Sequence, residues 1–147
     1  MTELAITVKI QLEDHPNQPR NIMTISSTHF VTKARIAKFA EATGDFNPIH
    51  VDPDYAATTK FKKNIAHGVL ILGLISADIT KHYGSPKRTP ILLYTEFNFL
   101  NPVFEGDAIE ITFYNPIQEG KNTKLMVSVV KKDGDSTGCV DGYVLIR

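Results

Sequence analysis

The segment "GDFNPIH", residues 44–50, contains an acid, an amide and an imidazole around one proline. Pro48 disfavours helical geometry at Asn47, so the segment must be bent or extended. The side chains of Asp45 and His50 can therefore point toward one place. A carboxylate and an imidazole that converge can hold a water molecule, take a proton from it and return one elsewhere, which is general acid–base chemistry. Asn47 could brace the loop with its amide. The alternative interpretation is an Asx-turn with a structural histidine.

Helices are predicted on both sides of this segment. The first covers "TKARIAKFAEATG", where Thr32 can act as the N-cap and Gly44 can take the left-handed position after the last turn. One face of this helix carries Ile36, Phe39, Ala40 and Thr43 at helical spacing. The second helix, "VDPDYAATT", has Asp52 as its cap and Pro53 at its first position. A loop fixed at both ends is preorganised, which favours a functional site over a plain turn.

A third and longer helix is predicted over roughly His67 to His82. Its first half, "GVLILGLIS", is apolar on every side, so we expect the helix to be enclosed. Gly68 lies near the first turn, where unpaired backbone N–H groups and the helix dipole favour developing negative charge, as in an oxyanion site. Ser76 lies two turns further on and shares roughly one face with Gly68 and Leu72. Its hydroxyl bonds either to its own i−4 carbonyl or to a polar group of the site.

The remaining segments read as strands and turns. Strand patterns are "AITVKIQL", where Ile6, Val8, Ile10 and Leu12 alternate with polar residues, "NIMTISSTHF", "YTEFNFL", "AIEITFY", "KLMVSVVKK" and "CVDGYVLIR". The stretch "EDHPNQPRN" reads as a loop, and turn chemistry occurs at "NPVFEGD", "NPIQEGKN" and "KDGDSTG". We therefore predict an α+β fold, an antiparallel sheet wrapped around one long central helix. Its 147 residues predict a single domain over 1–147.

Composition narrows the class of protein. Sixteen basic and 16 acidic residues give a formal net charge of zero, so nothing global favours binding to nucleic acid or to an anionic membrane. The single cysteine, Cys139, cannot form an internal disulfide and lies in a strand pattern, which indicates a packed thiol. Neither a leader nor an apolar run long enough to span a bilayer is apparent. We expect a cytoplasmic protein, or an organelle protein whose transit peptide has been removed.

Three segments together carry a family resemblance. "GDFNPIHVDPDYAATTKF", "IAHGVLILGLIS" and "FNFLNPVFEGDAIEI" resemble the MaoC-like (R)-specific enoyl-CoA hydratases, which are single-domain hot-dog proteins. The resemblance runs from about Thr32 to the C-terminus. Residues 1–22 form an N-terminal extension of open role. Leu93, Tyr94 and Thr95 stand where relatives often carry small or amide residues, which leaves the size of the acyl pocket open.

The resemblance implies roles for particular residues. Asp45 and His50 would hold the catalytic water, and Asn47 matches the asparagine of the family motif. Gly68 would offer its backbone N–H to the thioester oxygen, while Ser76 would support the Asp–His dyad. The implied substrate is a trans-2-enoyl thioester of coenzyme A or acyl carrier protein, and the implied product is the (R)-3-hydroxyacyl thioester. No metal or redox cofactor is implied, and the expected assembly is a homodimer with a continuous sheet.

Contacts with the substrate are suggested by residues flanking the motif. The acyl chain would lie against the apolar helix, where Leu70, Leu72 and Leu74 are candidates. Lys60, Lys62 and Lys63 in "TKFKKN" could meet the phosphates of coenzyme A or an acidic carrier protein, or they could form ordinary solvated surface.

Three alternative functions remain at this point. A hot-dog thioesterase would share the carbonyl site but would need water aimed at the thioester carbon, and the D-x-N-P-x-H motif argues against it. A non-catalytic acyl-thioester-binding subunit is a second alternative. A metal site formed by Asp45, His50 and His67 is a third, although the sequence offers no metal-specific spacing.

Overall fold

A computed structural model describes residues 7–10 and 23–147 of the chain. The strands in these ranges are β1 (Thr7–Ile10), β2 (Met23–Phe30), β3 (Leu92–Phe99), β4 (Ala108–Glu119), β5 (Asn122–Lys131) and β6 (Gly138–Ile146). The helices are α1 (Lys33–Thr43), α2 (Pro48–Val51), α3 (Pro53–Thr58) and α4 (Gly68–Tyr83). The strands form one sheet in the order β1-β2-β4-β5-β6-β3, and each neighbouring pair is antiparallel.

The core lies between α4 and one face of the sheet. Alternation along β4 and β5 turns one set of apolar side chains inward, and all of these are fully buried: Ile109, Ile111, Phe113, Leu125, Val127 and Val129. From α4, Leu70, Ile71, Ile75 and Ile79 join the same cluster. Burial of each large aliphatic side chain contributes about 1.5–3 kcal/mol, so this contact holds the helix to the sheet. The predicted α+β architecture, an antiparallel sheet against one long helix, is confirmed.

The expectation that α4 is enclosed on every side is wrong for the single chain. Val69 is 55% exposed, Gly73 is exposed, and Leu72 is only half-buried. The reason is geometric, because one sheet covers only one side of a helix. An apolar helical face is therefore left uncovered in this chain.

Polar contacts also join α4 to β2. Ser27 Oγ lies 2.7 Å from His82 Nε2, and His29 Nε2 lies 2.8 Å from Asp78 Oδ2. Ser27 and Asp78 are both buried, so these contacts satisfy groups that would be costly to bury alone. They account for the weak apolar alternation of β2, where polar residues occupy positions that face the helix.

Local signals in the sequence correspond well to the ends of α1. Thr32 Oγ1 accepts a hydrogen bond from the Arg35 N–H at 3.2 Å, and Gly44 has φ = 77°, so both predicted caps are confirmed. Cys139 is a buried free thiol, as predicted, and burial raises its pKa.

The turn predicted over "NPIQEGKN" is partly wrong. Strand β4 continues to Glu119, and the reversal occupies only the residues between β4 and β5. A break in register between Tyr114 and Ile117, with Asn115 at φ = 49°, lets the strand pass through the Asn–Pro pair.

The loop prediction for "EDHPNQPRN" and the positions of Ile6 and Leu12 lie outside the described residues. In the part of the chain that is described, no helix has the length and apolar character to cross a bilayer.

Candidate active site

Asp45 is held at the end of α1 by its backbone and by the following turn. Its N–H donates to Thr43 Oγ1 at 3.3 Å, and its Oδ1 accepts from the Asn47 N–H at 3.2 Å. The Asp45 side chain remains 47% exposed. One carboxylate oxygen is thus used to shape the loop, while the group stays accessible to water.

The motif contains a short helix that we did not predict. Asn47 is extended in its backbone, as Pro48 requires, and its Oδ1 accepts from the Ile49 N–H at 3.2 Å. Asn47 is therefore the N-cap of α2, and Pro48 is its first residue. His50 projects from this capped helical turn rather than from an irregular loop.

The ring of His50 is fixed by the segment that precedes α4. Its Nδ1 lies 2.8 Å from the Ile65 carbonyl oxygen, which can only accept, so Nδ1 carries the proton. Asn64 reinforces this contact because its Nδ2 donates to the carbonyls of Ile49 and Asp52, at 3.1 Å each. In the neutral ring, His50 Nε2 is consequently a hydrogen-bond acceptor, and it has no partner among the residues that the structure describes.

The electrostatics of His50 favour this neutral ring. Burial lowers its pKa below the ordinary 6.5. The hydrogen bond to Ile65 and the Asp45 carboxylate raise the pKa of His50, while the neighbouring His67 lowers it. The net shift is downward, so His50 is neutral at pH 7.

Asp45 and His50 lie close together, and His67 is with them. A carboxylate oxygen of Asp45 and one ring nitrogen from each histidine all lie within 4.8 Å of one another. The sequence motif therefore brings the acid and the imidazole to one place. A metal site, which is one of the alternatives predicted from the sequence, would use the same three donor atoms.

His67 was not among the catalytic residues inferred from the sequence, where it was considered only as a metal ligand. It is the N-cap of α4, its side chain is 1% exposed, and its Nε2 lies 2.9 Å from the Asp45 carbonyl oxygen. Its ring also stacks on His50, with centroids 3.9 Å apart. The signal that could have identified it is the "AHG" sequence itself, which was used only for its glycine.

A cavity of about 620 Å³ opens beside His50, and Asp45 is not among its lining residues. Its lining includes His50, Lys60, Gly68, Ile71, Phe99 and Asn101. Gly68 is the first residue of α4, where the backbone N–H has no carbonyl one turn earlier in its own helix. The imidazole and the positive end of the helix dipole therefore face one space of a size suited to a small-molecule ligand.

Other residues predicted to contact the substrate are placed differently. Leu70 belongs to the core, and neither Leu70 nor Leu72 lines this cavity, whereas Ile71 does. Lys60 reaches the cavity wall. Lys62 Nζ instead donates to the Ala57 carbonyl at 3.4 Å. Lys63 is exposed and is not among the residues that line the cavity.

Ser76 lies eight residues along α4 from Gly68, a rise of about 12 Å at 1.5 Å per residue. Its carbonyl accepts from Thr80 Oγ1 at 3.3 Å. Among the residues described here, its hydroxyl makes no hydrogen bond with Asp45 or His50, nor with its own i−4 carbonyl. The support of the dyad by Ser76 stays a prediction.

One known protein family matches most of this chain. The family described as "MaoC like domain" matches residues 10–138, which include every residue of the dyad and the cavity apart from Val140. The chain belongs to this family. The match begins well before Thr32, so it extends further toward the N-terminus than the motifs in the sequence indicated.

Two named relatives resemble the chain over part of their length. An (R)-specific enoyl-CoA hydratase of Aeromonas caviae is 41% identical over 76 residues, which are 52% of this chain and 55% of that protein. A 3-hydroxybutyryl-CoA dehydratase of Methylorubrum extorquens is 38% identical over 81 residues, 55% of this chain and 50% of that protein. The chain thus spans about half the length of these relatives.

Solved structures of the family share the fold. An R-hydratase of Pseudomonas aeruginosa superposes with a TM-score of 0.75 at 32% identity, covering 84% of this chain and 77% of that one. The hot-dog fold implied by the sequence resemblance is therefore confirmed.

Proposed function

We propose that the protein catalyses the (R)-specific hydration of trans-2-enoyl thioesters to (R)-3-hydroxyacyl thioesters, and the reverse dehydration. The observation that carries this proposal is the convergence of the Asp45 carboxylate with the His50 imidazole, whose ring also lines the cavity that contains Gly68. The names of the relatives, enoyl-CoA hydratase and 3-hydroxybutyryl-CoA dehydratase, support this class of reaction.

Both members of the dyad can accept a hydrogen bond from the same water. Water has two O–H groups, so one can point to an Asp45 oxygen and the other to His50 Nε2. Asp45 takes a proton as the water oxygen bonds to C3 of the enoyl chain. His50 orients the water and assists return of the proton to C2. The net change is addition of one hydroxyl and one hydrogen across the double bond.

Charge that develops on the thioester oxygen needs a donor. The Gly68 N–H lies at the positive end of α4 and is directed by the helix rather than by a side chain. A glycine there leaves space for close approach of the thioester. Gly68 is thus the proposed oxyanion donor, and the reacting carbons lie between it and the dyad.

The proposed chemistry uses no metal or redox cofactor. The acid, the base and the oxyanion donor are all protein groups, and together they supply each proton and charge that hydration requires. The competing proposal is a cation held by Asp45, His50 and His67. A chelator such as EDTA should leave turnover unchanged, whereas loss of activity that Zn²⁺ or Mn²⁺ restores would favour the cation.

The position of Lys60 in the cavity wall supports a proposal for the group that carries the acyl chain. Lys60 lines the cavity, so it can meet a phosphate of coenzyme A or of the acyl carrier protein arm while the acyl chain lies against Ile71.

We further propose a homodimer. Strand β3 is an edge strand of the described sheet and carries exposed apolar residues, among them Leu92, Leu93 and Tyr94.

One assay distinguishes the proposed activity from its alternatives. The purified chain is incubated with trans-2-enoyl-CoA of short, medium and long acyl chains, and both the ultraviolet enoyl absorbance and free thiol are followed. Loss of enoyl absorbance without thiol release, with the (R) product on chiral analysis, is the expected result. Thiol release would indicate a thioesterase, and no change in either signal would indicate a binding subunit.

A further inference from the structure

His67 has an unusual environment for a polar side chain. It is 1% exposed, and its Nδ1 is buried without a hydrogen-bond partner among the residues that the structure describes. Leaving a buried acceptor unsatisfied costs about 1–3 kcal/mol. A leucine or phenylalanine would avoid this cost. The presence of an imidazole at this position must therefore be explained by the other contacts that its ring makes.

Those contacts reach both members of the dyad. The Asp45 carbonyl lies 2.9 Å from His67 Nε2, and because a carbonyl only accepts, Nε2 carries the proton. The His50 ring lies against the same imidazole, with centroids 3.9 Å apart and planes inclined by 31°. Phe39 from α1 packs on the His67 ring at 4.8 Å. One fixed ring therefore joins α1, the motif and α4.

We propose that His67 is a positioning residue, which sets the orientation of His50 by stacking and that of Asp45 by a hydrogen bond to its backbone. This inference rests on the proposed hydratase function. The two contacts need different properties of the side chain. Phenylalanine could stack but could not donate, and glutamine could donate but could not stack.

The unpartnered Nδ1 fits this role. With Nε2 protonated, the neutral ring keeps its lone pair on Nδ1, and a second proton would place a charge in a buried position beside His50. The charged or titratable groups around His50 are Asp45 in the preceding loop, His67 at the start of α4 and Lys60 on the cavity wall.

The test compares His67→Phe and His67→Gln with His82→Gln, a matched histidine change at the far end of the same helix. Three quantities are measured: thermal unfolding, steady-state kinetics across pH, and the titration of the His50 ring by NMR without substrate. In His67→Phe and His67→Gln we expect kcat about 10- to 100-fold lower, with KM changed less than kcat. The His50 titration checks that this loss of kcat does not come from a change in the protonation of His50. His82→Gln should change neither kcat nor the His50 titration.

Unchanged kcat in both His67 variants would overturn the proposal. If His67→Phe does not fold, a normal kcat in folded His67→Gln would do the same. Failure of the hydratase proposal would look different. The wild-type chain would then lack hydration, while the NMR signals of the His50 ring in the His67 variants would still show whether His67 fixes that ring.

Discussion

The imidazoles of His50 and His67 stack with their centroids 3.9 Å apart, although one belongs to the short helix α2 and the other caps the long helix α4. This contact fixes the motif against the start of α4. The proposed water site and the proposed oxyanion donor therefore belong to one rigid unit. Their relative position does not depend on a free loop.

The oxyanion proposal predicts the effect of Gly68→Ala. An added Cβ would lie 2.8 Å from Phe99 Cε1, in the cavity beside His50. The Phe99 ring is 57% exposed and can rotate, so we expect a folded protein. Turnover should fall at least about ten-fold, because small displacements of reacting groups are costly.

Gly73→Ala is the matched control for this change. It lies in the same helix, and an added Cβ there meets nothing within 4 Å. Thermal unfolding and enoyl-CoA kinetics of both variants check the prediction. Normal turnover in folded Gly68→Ala would mean that the thioester oxygen binds elsewhere.

The position of Lys60 predicts a change in substrate binding. Lys60→Ala should raise KM for enoyl-CoA about 1.4- to 5-fold, as expected for an exposed charge contact worth about 0.2–1 kcal/mol, with kcat little changed. Lys63→Ala is the control, since Lys63 is exposed but does not line the cavity. Kinetics at low and high salt provide the measurement. Equal KM values for the two variants would remove Lys60 from the substrate site.

His82, near the C-terminal end of α4, predicts a dependence of the free energy of unfolding on pH. Burial lowers the pKa of His82 below 6.5, Asp78 opposes this shift, and Lys81 and His29 add to it. The folded state therefore prefers neutral His82. Its contribution to stability is fully present above the unfolded pKa of 6.5 and is lost as pH falls through the lower folded pKa.

Urea unfolding of wild type and His82→Gln between pH 8 and pH 5 measures this effect. We expect the free energy of unfolding to fall less steeply with acid in His82→Gln, because that ring no longer takes up a proton. Identical slopes would show that His82 does not contribute. His50 acts in the same direction, so some dependence on pH should remain in the variant.

The exposed edge of the sheet predicts a dimer in solution. A homodimer would have about twice the chain mass of 16.4 kDa by light scattering. Leu93→Lys places a charge on the edge strand β3, and this should shift the protein toward monomer. Ile117→Lys, at a similarly exposed apolar residue on β4, should not. A wild-type mass that stays at the monomer value at all concentrations would count against the dimer.

Features set by neighbouring residues could be predicted from the sequence. The Thr32 cap, the left-handed Gly44 and the Asp52–Pro53 helix start each depend on chemistry within a few positions. The strands of the second half follow from alternation. The short helix α2 was missed even though its local signals were present, since an Asn–Pro pair also fits the N-cap and first position of a helix.

Features set by distant contacts could not be predicted. The His67 partner, the Asp45 carbonyl, is 22 positions away, and no local pattern encodes that pairing. An apolar sequence predicts that a helix is buried, but it does not say whether the residues that bury the helix come from the same chain. The exposed face of α4 shows this difference.

The central claim is that Asp45 is a base and not only a turn residue. Asp45→Asn keeps an oxygen that can accept from the Asn47 N–H, so the turn should persist. Loss of the proton acceptor should lower turnover by about 10²–10⁴. His50→Gln should behave similarly, and the double variant should lose far less than the product of the single losses.

The most direct measurement is hydration of a short trans-2-enoyl-CoA beside thermal unfolding for Asp45→Asn, with Asp54→Asn, an exposed acid in α3, as the control. The account predicts that Asp45→Asn keeps the unfolding temperature of the wild type and loses hydration about 10²–10⁴-fold, while Asp54→Asn keeps both. Near-normal hydration by a folded Asp45→Asn protein would contradict the account and leave "GDFNPIH" as a turn.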